Sequence, residues 1–75
     1  MYKYQITYVN LVNKEMTIQR WAKTPGDAIR ALANQHFWAY HPKRETETES
    51  EGCFFKNIRR VGPSEFGHVI AVKVI

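Results

Sequence analysis

The segment WAKTPGDAIRALANQHF, Trp21 to Phe37, carries the one helix start that the sequence spells out in full. Thr24 is a natural N-cap, because its hydroxyl can accept a hydrogen bond from a backbone N–H that the first helical turn leaves unpaired. Pro25 follows at the first helical position, where a missing N–H costs nothing. Asp27 stands three residues after the cap, approximating a capping box and placing a carboxylate at the positive end of the helix. Ala28, Ile29, Leu32, Ala33, His36 and Phe37 then fall on one stripe at helical spacing. Pro42 disfavours helix in the residue before it, so the pattern predicts a helix from Pro25 to about Trp38. On that phase Phe37 closes the core, while Trp38 sits near the edge of the buried face.

On the N-terminal side, Tyr2 to Val9 alternates with period two. Tyr2, Tyr4, Ile6 and Tyr8 point one way, and Lys3, Gln5 and Thr7 the other. Such alternation of aromatic and β-branched residues predicts a half-buried strand. Asn10 to Lys14 supplies a turn, and Glu15 to Ala22 a second strand, giving a hairpin. Trp21 falls on the polar face of this hairpin, beside Lys3, Gln5, Thr7 and Gln19.

On the C-terminal side, residues 41–52 read HPKRETETESEG, with nothing apolar to bury, which predicts a mobile acidic loop over about residues 42–52. Cys53 to Val61 reads as a third strand, Gly62-Pro63-Ser64 as a turn, and His68 to Ile75 as a fourth strand. This last strand is apolar on both faces, which suits either a central strand or an edge completed by a partner, hence a homodimer through the C-terminal strand. The expected architecture is α+β: one domain over residues 1–75, ordered ββαββ, with a four-stranded antiparallel sheet and one helix packed on one face.

Composition bounds what such a domain can do. A chain of 75 residues buries only about 60% of its unfolded surface, so a deep cleft would remove volume that the core needs. Its single cysteine, Cys53, allows no intramolecular disulfide, which points to a reducing compartment. No charged-then-apolar leader opens the chain, and no apolar run approaches the ~20 residues of a membrane span. A cytoplasmic location without membrane association is expected, a host cell's cytoplasm if a mobile element encodes the protein. The net charge of +4 hides an asymmetry. Glu45, Glu47, Glu49 and Glu51 lie within seven positions, and elsewhere eleven Lys and Arg face only three acids, a balance of +8. A basic body of this kind attracts polyanions.

The chemistry-bearing residues point to binding. His36, His41, His68 and Cys53 lack the spacing of a metal motif, no glycine-rich phosphate loop is present, and neither a metal nor a cofactor is expected. His68 and Glu65, three apart across a turn, are the only acid–base pair to consider, and would suit a small ribonuclease. The stronger signal interleaves aromatic residues and cations: Trp38, Tyr40, Lys43 and Arg44, then Lys56, Arg59 and Arg60, with Trp21 as a further contact. Cations grip phosphates, and aromatic planes stack on unpaired bases. The glutamates 45, 47, 49 and 51 read either as a solvated loop or as a comb docking on a basic partner.

The hairpin followed by WAKTPGDAIRALANQHF, roughly residues 2 to 38, resembles small α+β proteins of phages and mobile elements, including some of the anti-CRISPR kind. The resemblance implies a non-enzymatic inhibitor docking on a nucleoprotein complex, and it transfers no functional residue. From sequence, the protein is a binding protein, an inhibitor or adaptor whose partner is a protein or nucleoprotein complex. Direct nucleic-acid binding is the alternative, and a small ribonuclease the third.

Overall fold

The computed structural model describes residues 1–56 and 64–74. Chain order is β1 (Tyr2–Val9), β2 (Glu15–Ala22), α1 (Pro25–Gln35), β3 (Trp38–Glu45), β4 (Glu49–Lys56) and β5 (Ser64–Lys73). The strands form one antiparallel sheet in the order β2-β1-β5-β4-β3, with α1 across one face. The fold is therefore α+β with one helix, but the sheet has five strands where four were expected. Among the described residues, no helix is long and apolar enough to cross a membrane.

The extra strand comes from the segment expected to be a mobile loop. Residues 38–56 form a hairpin whose turn, Thr46 to Thr48, is closed by the Thr46 amide donating to the Glu49 carbonyl at 2.8 Å and by Thr46 Oγ1, which accepts from the amides of Thr48 and Glu49 at 3.4 and 3.1 Å. The alternation of Glu with Ser is strand periodicity. Glu49 and Glu51 point away from the helix, while Ser50 points under it and is fully buried. A buried hydroxyl needs partners. Ser50 finds two, sharing a hydrogen bond with the Tyr40 hydroxyl at 2.6 Å and donating to Glu45 Oε1 at 3.1 Å. Burial holds the Tyr40 phenol above its ordinary pKa, against the lowering pull of the Ser50 bond.

That shift has a consequence for stability. The fold prefers the neutral phenol, so the contribution is intact below pH of about 10, the unfolded value, and is lost as pH rises through the raised one. Tyr40→Phe should cost about 1 kcal/mol at neutral pH through the lost hydrogen bond. It should also flatten the alkaline fall, read as the denaturant midpoint as pH rises above about 10.

The helix begins as its sequence dictates. Thr24 Oγ1 accepts from the Asp27 amide at 3.1 Å, and Pro25 opens the first turn. It ends three residues earlier than periodicity predicts. His36 caps it, with its N–H on the Ala33 carbonyl at 3.1 Å, and Phe37 adopts a left-handed φ of 59°. That turn exchanges the expected roles of two aromatics. Phe37 swings out to 83% exposure, whereas Trp38 turns inward as the first residue of β3 and packs on the core margin.

The core lies between α1 and the sheet. Ala28, Ile29, Leu32 and Ala33 meet Tyr4, Ile6 and Tyr8 of β1, Phe54 of β4, and Val69 and Ala71 of β5. The two-faced apolar strand expected at the C-terminus is indeed central, paired with β1 on one side and β4 on the other. With both edges taken, β5 offers none to a second chain, which removes the proposed homodimer contact through it.

Candidate docking surface

The two ends of the sheet differ in character. One end gathers the β1–β2 turn, the C-terminus of α1, and the facing termini of β3, β4 and β5. In the β1–β2 turn, Asn10 Oδ1 accepts from the amides of Val12 and Lys14 at 3.1 and 3.0 Å, and Asn13 takes a left-handed φ of 60°. These bonds satisfy the turn internally and leave Leu11 and Val12 pointing outward, Val12 at 78% exposure. Between this turn and the helix end lies an apolar recess of about 300 Å³, lined chiefly by Tyr8, Leu11, Val12, Met16, His36 and Trp38.

Its floor is well built. Trp38 stacks on His36 with ring centroids 4.4 Å apart and planes 19° from parallel. Behind, Trp38 meets Phe54 at 5.1 Å and Phe66 at 4.9 Å, an aromatic cluster continuous with the core. Phe37, immediately between His36 and Trp38, stands clear of it. A bulky residue at left-handed φ costs about 1–2 kcal/mol relative to glycine, the usual occupant of such a helix stop. Being mostly exposed, Phe37 recovers little of this through packing. Phe37→Gly should therefore raise stability by about 1 kcal/mol, which for a domain of this size moves Tm upward by roughly 4–8 °C in a thermal melt.

The residues singled out from sequence do not assemble as one patch. Trp38 is half-buried in the floor of the recess, and Tyr40 is half-buried against Ser50. Lys43 is exposed at a bulge in β3, and Lys56 is exposed opposite Trp38. Arg44 is committed internally, Nη2 to Glu49 at 3.0 Å and Nε to Glu51 at 3.1 Å. Arg59 and Arg60 lie outside the described residues. Trp21, 55% exposed, sits on β2 at the opposite edge of the sheet from β3, with Lys3 Nζ 6.0 Å from its ring.

The glutamates form no comb. Glu45 faces α1 and meets Arg30 at 3.5 Å. Glu49 and Glu51 hold Arg44 on the other face, and Glu51 Oε2 lies 3.6 Å from His68 Nε2. Glu47 occupies the hairpin turn. There it helps line a recess of about 400 Å³ with Tyr2, Lys23, Thr46 and Lys73, at the far end from Phe37. That recess is larger but mixes both charges.

One alignment was invisible in the sequence. His41, Cys53 and His68 are direct cross-strand neighbours on β3, β4 and β5. The two imidazoles turn to different partners, His41 edge-on to Phe55 at 5.7 Å and His68 to Glu51. Among the described residues, no three His, Cys, Asp or Glu side chains come together to hold a metal ion. The side chain of Glu65, the other half of the proposed acid–base pair, lies outside the described residues. The feature that sequence reading missed is the pair Val12 and Phe37. Its only signal was a phenylalanine where a helix stop favours glycine, and that signal appears only once the stop is known. No family model, curated protein or solved structure matches the chain.

Proposed function

We propose that the protein is a non-catalytic binding module, an inhibitor or adaptor that docks on a protein surface through the end carrying Leu11, Val12 and Phe37. Phe37 carries the reading: an aromatic side chain 83% exposed, on a backbone conformation that disfavours it, beside an apolar recess floored by Trp38. Strain of this kind is retained where it serves a contact, and aromatic anchors supply most of the energy of protein interfaces. Internal pairing of Arg44 with glutamates weakens the purely electrostatic alternative for that part of the surface. The finer assignment, an inhibitor seated on a nucleoprotein complex, rests on the resemblance of residues 2–38.

The test uses the whole chain as bait in a lysate of its source, with and without nuclease. The expected partner survives nuclease and is lost in Val12→Asp and in Phe37→Gly, although the glycine variant is the more stable protein. Capture that both substitutions leave unchanged would remove this end from the interface. A second reading, direct binding of single-stranded nucleic acid, has its own observation in Trp21 and Lys3 on the sheet face that lacks a helix. It predicts salt-sensitive binding that Trp21→Ala abolishes.

A further inference from the structure

Charge is spread unevenly around the recess. Asp27, Glu45, Glu47 and Glu49 stand towards the far end, where α1 begins. Glu15 and Glu51 point from the face without a helix. At the end where α1 stops, Lys14 belongs to the β1–β2 turn, and Lys56 is the cross-strand partner of Trp38 and so shares its face. Arg20, on the helix side of β2, reaches the last residue of α1. Among the described residues, the helix side of this end therefore gathers cations and no acid.

Arg20 is the least satisfied of them. Alternation along β2 puts it on the same side as Met16 and Ile18, which remain half-buried at the margin of the core. Arg20 is half-buried too. Its Nη2 donates to the neutral Gln35 Oε1 at 2.9 Å, while its Nε is buried without a hydrogen-bond partner. Among the described residues, no carboxylate comes within ion-pair distance of it. A guanidinium drawn partly out of water loses hydration that a carboxylate replaces better than an amide does. The recess is next to it: Gln35 directly precedes His36, and both His36 and Met16 line the recess.

We propose that the partner segment received at this end is acidic. An apolar side chain enters the recess over Trp38, a carboxylate close to it in sequence pairs with Arg20, and Lys14 and Lys56 attract further acids at the rim. This rests on the reading of the Val12 and Phe37 end as the interface, and adds the chemistry of what it takes. The apolar anchor supplies most of the energy, and charge complementarity selects the partner. An inward charge on an edge strand also discourages strand addition. That role alone calls for no acid in the partner.

The probe is a library of short random peptides, selected on the immobilised whole chain. Recovered peptides should join a Leu, Phe or Trp to a nearby Asp or Glu and be poor in Lys and Arg. Titrated into isotope-labelled protein, such a peptide should shift the Trp38 indole N–H and the Arg20 Nε–H. Arg20→Gln should weaken it at least about tenfold. Arg20→Glu should prefer the version whose acid is replaced by lysine, the reverse of the wild-type order, which a merely structural arginine would not produce. Lys14→Glu with Lys56→Glu changes only exposed positions, and should slow association of the acidic peptide. Far-UV circular dichroism confirms that each variant is folded. Recovered peptides without an acidic bias overturn the proposal, as does an acidic peptide that binds Arg20→Gln as tightly as wild type. Self-association that Arg20→Gln abolishes would make a second copy the occupant and overturn it as well. The two readings fail separately. Peptide binding lost in Val12→Asp but kept in Arg20→Gln leaves the interface standing without its preference for acid, whereas a selection that returns nothing shifting Trp38 counts against both.

Discussion

Phe54→Ala should abolish cooperative folding at 37 °C. Phe54 is fully buried on β4, beneath the helix, and its ring lies within about 6 Å of four others: Tyr8, Trp38, Tyr40 and Phe66. Those aromatics come from β1, β3 and β5, so the ring joins the three strands nearest to β4 into one packed unit. Truncating a buried phenylalanine to alanine costs about 3–5 kcal/mol, the lost transfer energy plus the cavity left behind. A domain has only about 5–15 kcal/mol in total, and one of 75 residues sits at the low end of that range. Thermal and urea melts followed by circular dichroism should show a Tm lowered by more than about 12 °C, or no transition at all. A loss of under about 1.5 kcal/mol would mean that the cluster tolerates a hole, contrary to its packing.

Gly52→Ala should be nearly as damaging, for a backbone reason. Gly52 on β4 faces Pro42 on β3, at the place where the bulge presses the two chains together. A Cβ added at Gly52 would collide with the His41 carbonyl oxygen and approach Pro42 Cα to 2.9 Å. Both obstacles are main chain, so no side-chain rotation relieves the clash. The strands must separate or shift register, and a one-residue shift would turn Ser50 and Phe54 to the wrong face. We expect a loss of about 2–3 kcal/mol, the upper range for overpacking a core. Amide exchange should accelerate first in Tyr40 to Arg44 and in Ser50 to Cys53. A variant as stable as wild type would show that the bulge can relax outward.

Much of the scaffold was legible where local chemistry and global packing agree. Thr24, Pro25 and Asp27 mark the helix start because each satisfies an unpaired group or the helix dipole in place. The bounds of β1 and β2 follow from clean alternation, and the central position of β5 from its two apolar faces. The second hairpin was not legible, because its inward positions include a serine and a glycine rather than a run of apolar residues. The partners of Ser50, the Tyr40 hydroxyl and Glu45, lie on the facing strand and meet it only once the hairpin has formed and the helix covers it. The same holds at the helix end. Periodicity carried the helical phase through Phe37, whereas one left-handed residue reset it and exchanged the positions of Phe37 and Trp38. Of the candidate binding residues, Trp38 thus lines the recess, and the aromatic left exposed beside it is Phe37.

The central position of β5 also has a consequence during synthesis. β1 and β4 each keep a bare flank until residues 64–73 have emerged from the ribosome, since β5 is the strand that joins the two hairpins. The earlier segments can form local turns and a nascent helix, but the long-range ladders that make a sheet must wait. Nascent chains arrested before this strand should be protease-sensitive along their whole length. Acquisition of protease resistance should then come as a single late step rather than hairpin by hairpin.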